Sequence, residues 1–163
     1  METTTSKRLL GIVLLSWLSV IGFDFLLHAS LLAPLYAKPS PFLLPPDRAF
    51  FLIPLGYLSF LISTVMLVWL FGRLGINTWP EGCIFGLKLG ALIWGSLVLG
   101  LLSITTASPI LMLSWFFGQT IESAIAGLVV GAGFGAENLR KLFVGVLLLT
   151  IGSITIGVVL QSI

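Results

Sequence analysis

Residues 109–133 read PILMLSWFFGQTIESAIAGLVVGAG, a long apolar run with one acidic residue, Glu122, near its middle. As a helix that rises about 1.5 Å per residue, this run is long enough to cross the hydrocarbon core of a bilayer, which is about 30 Å thick. An ionisable group at that depth is costly, and it normally faces other helices or a wet cavity. The stretch therefore predicts a membrane-spanning helix and makes Glu122 the first candidate for a functional residue.

The composition of the whole chain agrees with a membrane protein. Of 163 residues, 58% are hydrophobic and 9% are charged, whereas soluble domains carry about 25% charged residues. The net charge of +2 comes without a basic stripe, so we expect no nucleic-acid partner. One cysteine, Cys83, and one histidine, His28, are too few for an internal disulfide or an ordinary zinc site. We therefore expect no metal and no cofactor.

Hydropathy predicts one all-α domain over residues 1–163, a bundle of five membrane-spanning helices, with four as the alternative count. The predicted spans cover residues 9–28, 49–72, 83–103, 109–133 and 142–161. The first run starts with basic residues as a signal peptide does, but its length and the presence of Asp24 favour a spanning helix. The expected surroundings are the lipid bilayer.

Local signals mark the ends of two spans. Asp47 is predicted to cap the second span, because its carboxylate can accept from the first free amide groups of a helix. Pro54 is predicted to kink the same span. Ser108 followed by Pro109 predicts the start of the fourth span, since proline is favoured at the first helical position. Four prolines between residues 37 and 46 predict a non-helical segment along the membrane surface.

The basic residues predict the orientation of the bundle. With the N-terminus in the cytoplasm, the outer segments hold only Lys38 and Arg48. The inner segments then hold Lys7, Arg8, Arg73, Arg140 and Lys141. Because cytoplasmic segments of membrane proteins are enriched in Lys and Arg, we expect the N-terminus inside and the C-terminus outside.

Small residues recur every four positions on the third and fourth spans. One series consists of Gly82, Gly86 and Gly90, and the other of Ser123, Gly127, Gly131 and Gly135. Such faces let two helix backbones approach closely, where van der Waals contact holds them together. The alternative is that glycine is simply frequent in membrane helices. We expect these two spans to be antiparallel neighbours that pack through their glycines.

Asp24 and His28 are four residues apart, so they share one face of the first helix. At about 1.5 Å per residue they lie roughly 22 and 28 Å from the inner edge of the membrane. One interpretation is an interfacial pair that orders the proline-rich segment. The other is a role in metal binding or proton transfer.

Glu122 lies deeper in the membrane, with Gln119 one helical turn away. Near the middle of the bilayer its carboxyl group must be protonated, paired or beside water. Lys88 of the third span is a conceivable partner, but helix geometry leans the two side chains apart. We therefore expect Lys88 to extend toward the headgroups. The polar residues are expected at two depths rather than in one cluster.

Four motifs together resemble a family of small polytopic bacterial membrane proteins of unknown function. The motifs are DFLLH (24–28), LAPLY (32–36), IPLGY (53–57) and FGLKLG (85–90). The resemblance covers about residues 20–135 and implies a place in the bacterial plasma (inner) membrane. It implies no catalytic residue.

Two functions fit the sequence. In the first, the protein is a non-enzymatic helper or subunit that packs through its glycine-rich faces against a second copy or a larger membrane complex. In the second, it passes a proton, an ion or a small solute, with Glu122 and the pair of Asp24 and His28 as stations, and it does so as an oligomer. No nucleophile elbow, metalloprotease motif or P-loop is present, so we do not expect an enzyme.

Overall fold

The computed structural model describes residues 6–162, and these form an all-α bundle. The helices are α1 (Ser6–Leu26), which continues as a π-turn (Leu27–Leu31), α2 (Ala33–Tyr36), α3 (Pro46–Leu74), α4 (Trp79–Ile104), α5 (Pro109–Gly135) and α6 (Leu139–Gln161). All except α2 are long and apolar enough to cross a membrane. The predicted all-α bundle with five spans is confirmed, and the chain is an integral membrane protein. Residues 1–5 and Ile163, which the predicted domain includes, lie outside the described part.

Consecutive spans run in opposite directions, so the bundle has two ends. We call distal the end that holds α2, the segment 37–45 and the turn 105–108. The proximal end holds the start of α1 and the turns 75–78 and 136–138. Helix α5 is central, because it packs against α1, α3, α4 and α6. The site described below lies where α5 faces α1 and α3.

The most extensive helix pair is formed by α4 and α5, and glycine makes this close approach feasible. A Cβ atom at Gly82 would overlap the carbonyl oxygen of Gly127, and one at Gly86 would overlap that of Ser123. A Cβ atom at Gly90 would lie 2.6 Å from the Cβ of Ser123. The small residues of α4 therefore face those of α5 within one chain.

The proximal end of α5 is also held closely. A Cβ atom at Gly131 or Gly135 would overlap the carbonyl oxygens of Thr78 and Asn77, in the turn before α4. The guanidinium of Arg8 donates to three carbonyl oxygens at the end of α5. These belong to Gly133, Phe134 and Ala136. A cation there also complements the negative end of the helix dipole.

An apolar core fills the proximal half of the space between α1, α3 and α5. Ile12, Phe71 and Val130 are completely buried in it. The ring of Phe71 packs edge-on against Phe85 of α4, with 5.3 Å between ring centroids. Because the interior of this region is packed with large side chains, the polar residues of the site described below lie in the middle and the distal half of the bundle.

Helix α3 departs from the prediction at its start. Pro46 is its first residue and Pro45 its N-cap, whereas Asp47 lies inside the first turn and makes no capping hydrogen bond. The predicted cap at Asp47 is therefore wrong, because a proline at the first helical position starts the helix two residues earlier than a cap at Asp47 would. Asp47 still lies near the positive end of the helix dipole. Ser108, in contrast, is the N-cap of α5 as predicted.

The distal part of α3 stands away from the rest of the bundle. Residues 44–56 are all exposed, and they include Pro54, which lies inside the helix. The indole of Trp17 on α1 donates to the backbone carbonyl of Tyr57 at 2.8 Å. The helix is thus fastened to α1 at Tyr57, and distal to this point a cleft separates it from α1 and α5.

Candidate functional site

Asp24 and His28 share one face of the first span, as their spacing predicts. Oδ1 of Asp24 lies 3.5 Å from Nε2 of His28, and the side chains are 14% and 26% exposed. His28 belongs to the π-turn Leu27–Leu31, which widens the helix by one residue per turn. Such π-turns inside α-helices occur frequently at functional sites.

His28 connects three helices. Its Nδ1 is hydrogen-bonded to the hydroxyl of Tyr36 in α2, and the indole of Trp115 in α5 donates to the same hydroxyl at 2.7 Å. The side-chain nitrogen of Gln119, one turn further along α5, lies 3.1 Å from Nε2 of His28. We refer to Asp24, His28, Tyr36, Trp115 and Gln119 as the His28 cluster.

The contacts suit one arrangement of protons in this cluster. With the amide of Gln119 as the donor to Nε2 of His28, Nδ1 of a neutral ring would carry the proton and donate to Tyr36. The hydroxyl of Tyr36 accepts from both His28 and Trp115. Burial raises the pKa of Tyr36 to about 12, so this hydroxyl keeps its own proton at neutral pH. That proton remains free to donate to a bound molecule.

The His28 cluster also anchors the segment before α3. Tyr36 ends α2, and the ring of Phe42 packs against Trp115 with 6.1 Å between centroids. The interpretation of Asp24 and His28 as an ordering pair thus has a structural counterpart. An open space lies beside the cluster, so these residues can do more than anchor the segment before α3.

Three adjoining cavities form the cleft between α3 and the rest of the bundle. The distal cavity has a volume of about 820 Å³ and the middle one about 380 Å³, and both are lined by Asp24, His28 and Trp115. The deep cavity measures about 60 Å³, and it shares Gln119 and Trp94 with the middle one. The cleft therefore descends from the distal end to the middle of the bundle.

Glu122 lies at the deep end of this cleft. Its side chain lines the deep cavity and is 3% exposed, and neither carboxyl oxygen has a hydrogen-bond partner in the described residues. Thr64 and Ser123 line the same cavity, and their hydroxyls donate to backbone carbonyls. Each of these hydroxyl oxygens therefore keeps acceptor capacity beside an unpartnered carboxyl group.

Two residues were considered from the sequence as neighbours of Glu122, Lys88 and Gln119, and neither is bonded to its carboxyl group. Lys88 is exposed on α4, and it makes no ion pair with Glu122. Gln119 uses its side-chain nitrogen on His28 rather than on Glu122. The expectation of two depths stays a prediction. Gln119 lies one turn distal to Glu122 on α5, and it lines both the deep and the middle cavity, so both sets of polar residues border the same cleft.

Several residues of the site were not singled out from the sequence. Tyr36, Trp115 and Tyr57 line the cleft, as does Trp94 of α4. Tyr57 and Trp94 lie well inside α3 and α4, whereas Tyr36 and Trp115 lie nearer to helix ends, where aromatic residues with a polar atom are common. Such residues are usually read as interfacial anchors, and only the helix packing shows that they face inward.

In residues 6–162, no group of three or more His, Cys, Asp and Glu side chains is placed to hold a metal ion. No protein-family model, curated protein or solved structure matches the chain. The resemblance to a family of bacterial membrane proteins therefore stays a prediction.

Proposed function

We propose that the protein binds an amphipathic molecule in the cleft between α1, α3 and α5, without acting as an enzyme. The observation that carries this proposal is the distal cavity, which joins a wide apolar wall to a polar floor formed by Asp24 and His28. Binding sites for small molecules typically measure about 300–1,000 Å³ and combine mostly apolar walls with a few placed polar groups. The cavity of about 820 Å³ falls in this range.

The exposed distal part of α3 supports access from the bilayer. Phe50 and Ile53 line the distal cavity, yet they are 69% and 43% exposed. One wall of the cleft therefore borders the lipid as well as the cavity. An apolar chain can enter beside α3 without crossing a polar barrier, while its polar end reaches the His28 cluster.

The glycine faces support a helper role less well than the sequence suggested. Gly82 and Gly86 of α4 contact Gly127 and Ser123 of α5 within the same chain. These faces are occupied, so a second copy or a larger membrane complex would have to use another surface. A binding function is non-enzymatic, as the helper hypothesis requires, and it also gives the buried polar residues a role.

Permeation of protons, ions or solutes is also less well supported. Proximal to Glu122, the space between the helices is filled by the core around Ile12, Phe71 and Val130. Three completely buried apolar side chains lie between the cleft and the proximal end. The cleft is thus open toward one end, which suits a binding site better than a channel.

The orientation of the cleft follows from the basic residues. The proximal segments carry Arg73, Arg140 and Lys141 together with Lys7 and Arg8, and the distal segments carry Lys38 and Arg48. With the proximal end in the cytoplasm, the cleft opens toward the outer half of a plasma membrane. The expected ligand is then a molecule of the outer leaflet.

Quenching of tryptophan fluorescence tests the proposed function. A reporter variant keeps Trp115 and replaces Trp17, Trp69, Trp79 and Trp94 by phenylalanine, and it is titrated in vesicles with a long-chain alkanol that is brominated on its chain. A matched control variant keeps only Trp79, which is 60% exposed at the proximal end. We expect saturable quenching of Trp115 and proportional, unsaturated quenching of Trp79. Unsaturated quenching of both would contradict the proposal.

A further inference from the structure

The charges in the cleft select for one kind of ligand. Asp24 and Glu122 contribute two carboxyl groups, and none of the described residues that line the three cavities is a Lys or Arg. Lys38 and Arg48, the basic residues of the distal segments, are exposed and line none of the three cavities. The cleft thus offers carboxyl groups and other acceptors to a ligand, with the hydroxyl of Tyr36 as a neutral donor.

The deep cavity fits a small, strongly donating group. Its volume of about 60 Å³ is much smaller than that of the middle cavity, so it accepts a small group rather than a chain. The unpartnered carboxyl of Glu122 shares this space with the hydroxyl oxygens of Thr64 and Ser123. A buried acceptor without a donor carries its full desolvation cost, and a donor that enters the cavity removes it.

The walls between the deep and distal cavities are aromatic. Phe60 and Trp94 line the deep and middle cavities, and Tyr57 and Trp115 line the middle and distal ones. Aromatic faces attract organic cations through the ring quadrupole. They also pack against alkyl chains, so the same walls suit both parts of an amphiphile with a positive end.

We infer that the ligand is a lipophilic amine whose ammonium group binds Glu122 in the deep cavity, while its apolar body occupies the middle and distal cavities. This inference rests on the proposed function and names the chemical class of its ligand. Glu122 supplies the ion-pair partner, and the hydroxyls of Thr64 and Ser123 accept from the remaining ammonium hydrogens. A charge-assisted contact of this kind binds more tightly than a neutral one.

Three brominated probes with the same chain test this inference in the variant that keeps Trp115. They end in a primary amine, a hydroxyl and a carboxylate, and they are added to vesicles of zwitterionic lipid so that the membrane surface favours none of them. We expect the amine to bind at least about tenfold more tightly than the alkanol, a factor typical of one charged contact. The carboxylate is expected to bind most weakly.

Two variants show whether Glu122 is the anchor. Glu122→Gln should remove the preference for the amine, so that the amine binds no more tightly than the alkanol. Glu137→Gln, which changes an exposed acid in the turn before α6, should keep the preference. If Glu122→Gln retains the preference, the assignment of the ammonium site is wrong. The three probes are compared on protein that keeps Glu122, so the result of that comparison stands even if Glu122→Gln folds poorly.

The outcomes separate this inference from the proposed function. Saturable alkanol binding with an amine that binds no more tightly would overturn the inference and leave the proposed function standing. The absence of saturable quenching by all three probes would overturn both. Tighter binding of the carboxylate than of the amine would also contradict the inference, since it would require a positive site in the cleft.

Discussion

The side-chain nitrogen of Gln119 lies 3.1 Å from Nε2 of His28, although the two residues are 91 positions apart in the chain. This contact joins the π-turn of the first span to the middle of α5. Glu122 follows Gln119 by one helical turn on α5, at the deep end of the same cleft. Gln119 thus lies between a distal polar cluster, which its amide contacts, and a carboxyl group in the middle of the bundle.

Replacement of Glu122 by leucine should not destabilise the ligand-free protein. Among residues 6–162 the carboxyl has no hydrogen-bond partner to lose, and an unsatisfied buried polar group costs about 1–3 kcal/mol. We expect Glu122→Leu to unfold at the same temperature as the parent or at a higher one, in detergent without ligand. A clear decrease in the unfolding temperature would mean that Glu122 is bonded in the folded protein.

Replacement of Tyr36 by phenylalanine should destabilise the protein by about 1–3 kcal/mol. It removes the hydroxyl that serves both His28 and Trp115, and the buried donors left behind lose their partner. Tyr57→Phe is the matched control, because no hydrogen bond of the Tyr57 hydroxyl is present in the described residues. Thermal unfolding measures both variants, and equal unfolding temperatures would count against the His28 cluster as a structural unit.

Gly86→Leu should destabilise the bundle by at least about 2 kcal/mol, since overpacking at a close contact forces the backbone to move. Any side chain at Gly86 meets the carbonyl oxygen of Ser123 on α5. Gly100 lies on the same helix with nothing within 4 Å of its Cβ position, so Gly100→Leu is the control. If both variants unfold at the temperature of the parent, the glycines do not hold α4 and α5 together.

The orientation is tested from both ends of the bundle. We expect Lys38→Cys to react with a membrane-impermeant maleimide in intact cells and Arg140→Cys to react only after lysis, both in a variant with Cys83→Ser. The basis is the excess of basic residues at the proximal end. The reverse labelling pattern would place the opening of the cleft in the cytoplasm.

The spans were predictable because their signals are local. A run such as residues 109–133 shows its length and hydropathy directly, and Ser108 with Pro109 marks where α5 begins. The glycine series could be recognised for the same reason, since a period of four residues defines a helix face. The start of α3 was misjudged because two signals competed there, and Pro46 rather than Asp47 set the boundary.

The cleft could not be predicted, because it depends on how the helices are packed. The sequence does not show that α3 leaves the bundle distal to Tyr57. It also does not show that the π-turn carries His28 toward Gln119. The position of a residue along its helix indicates how deep it lies in the bundle. To predict contacts between helices, their rotation and tilt must also be known.

Filling the distal cavity tests the central claim, that this cleft binds an amphiphile, most directly. Ala29 lines the distal cavity, so Ala29→Leu places a larger side chain in it, whereas Ala136→Leu adds the same bulk in the proximal turn 136–138. The measurement is saturable quenching of Trp115 by the brominated alkanol in both variants. The account predicts binding at least about tenfold weaker in Ala29→Leu and unchanged in Ala136→Leu. Equal binding in the two variants would contradict it.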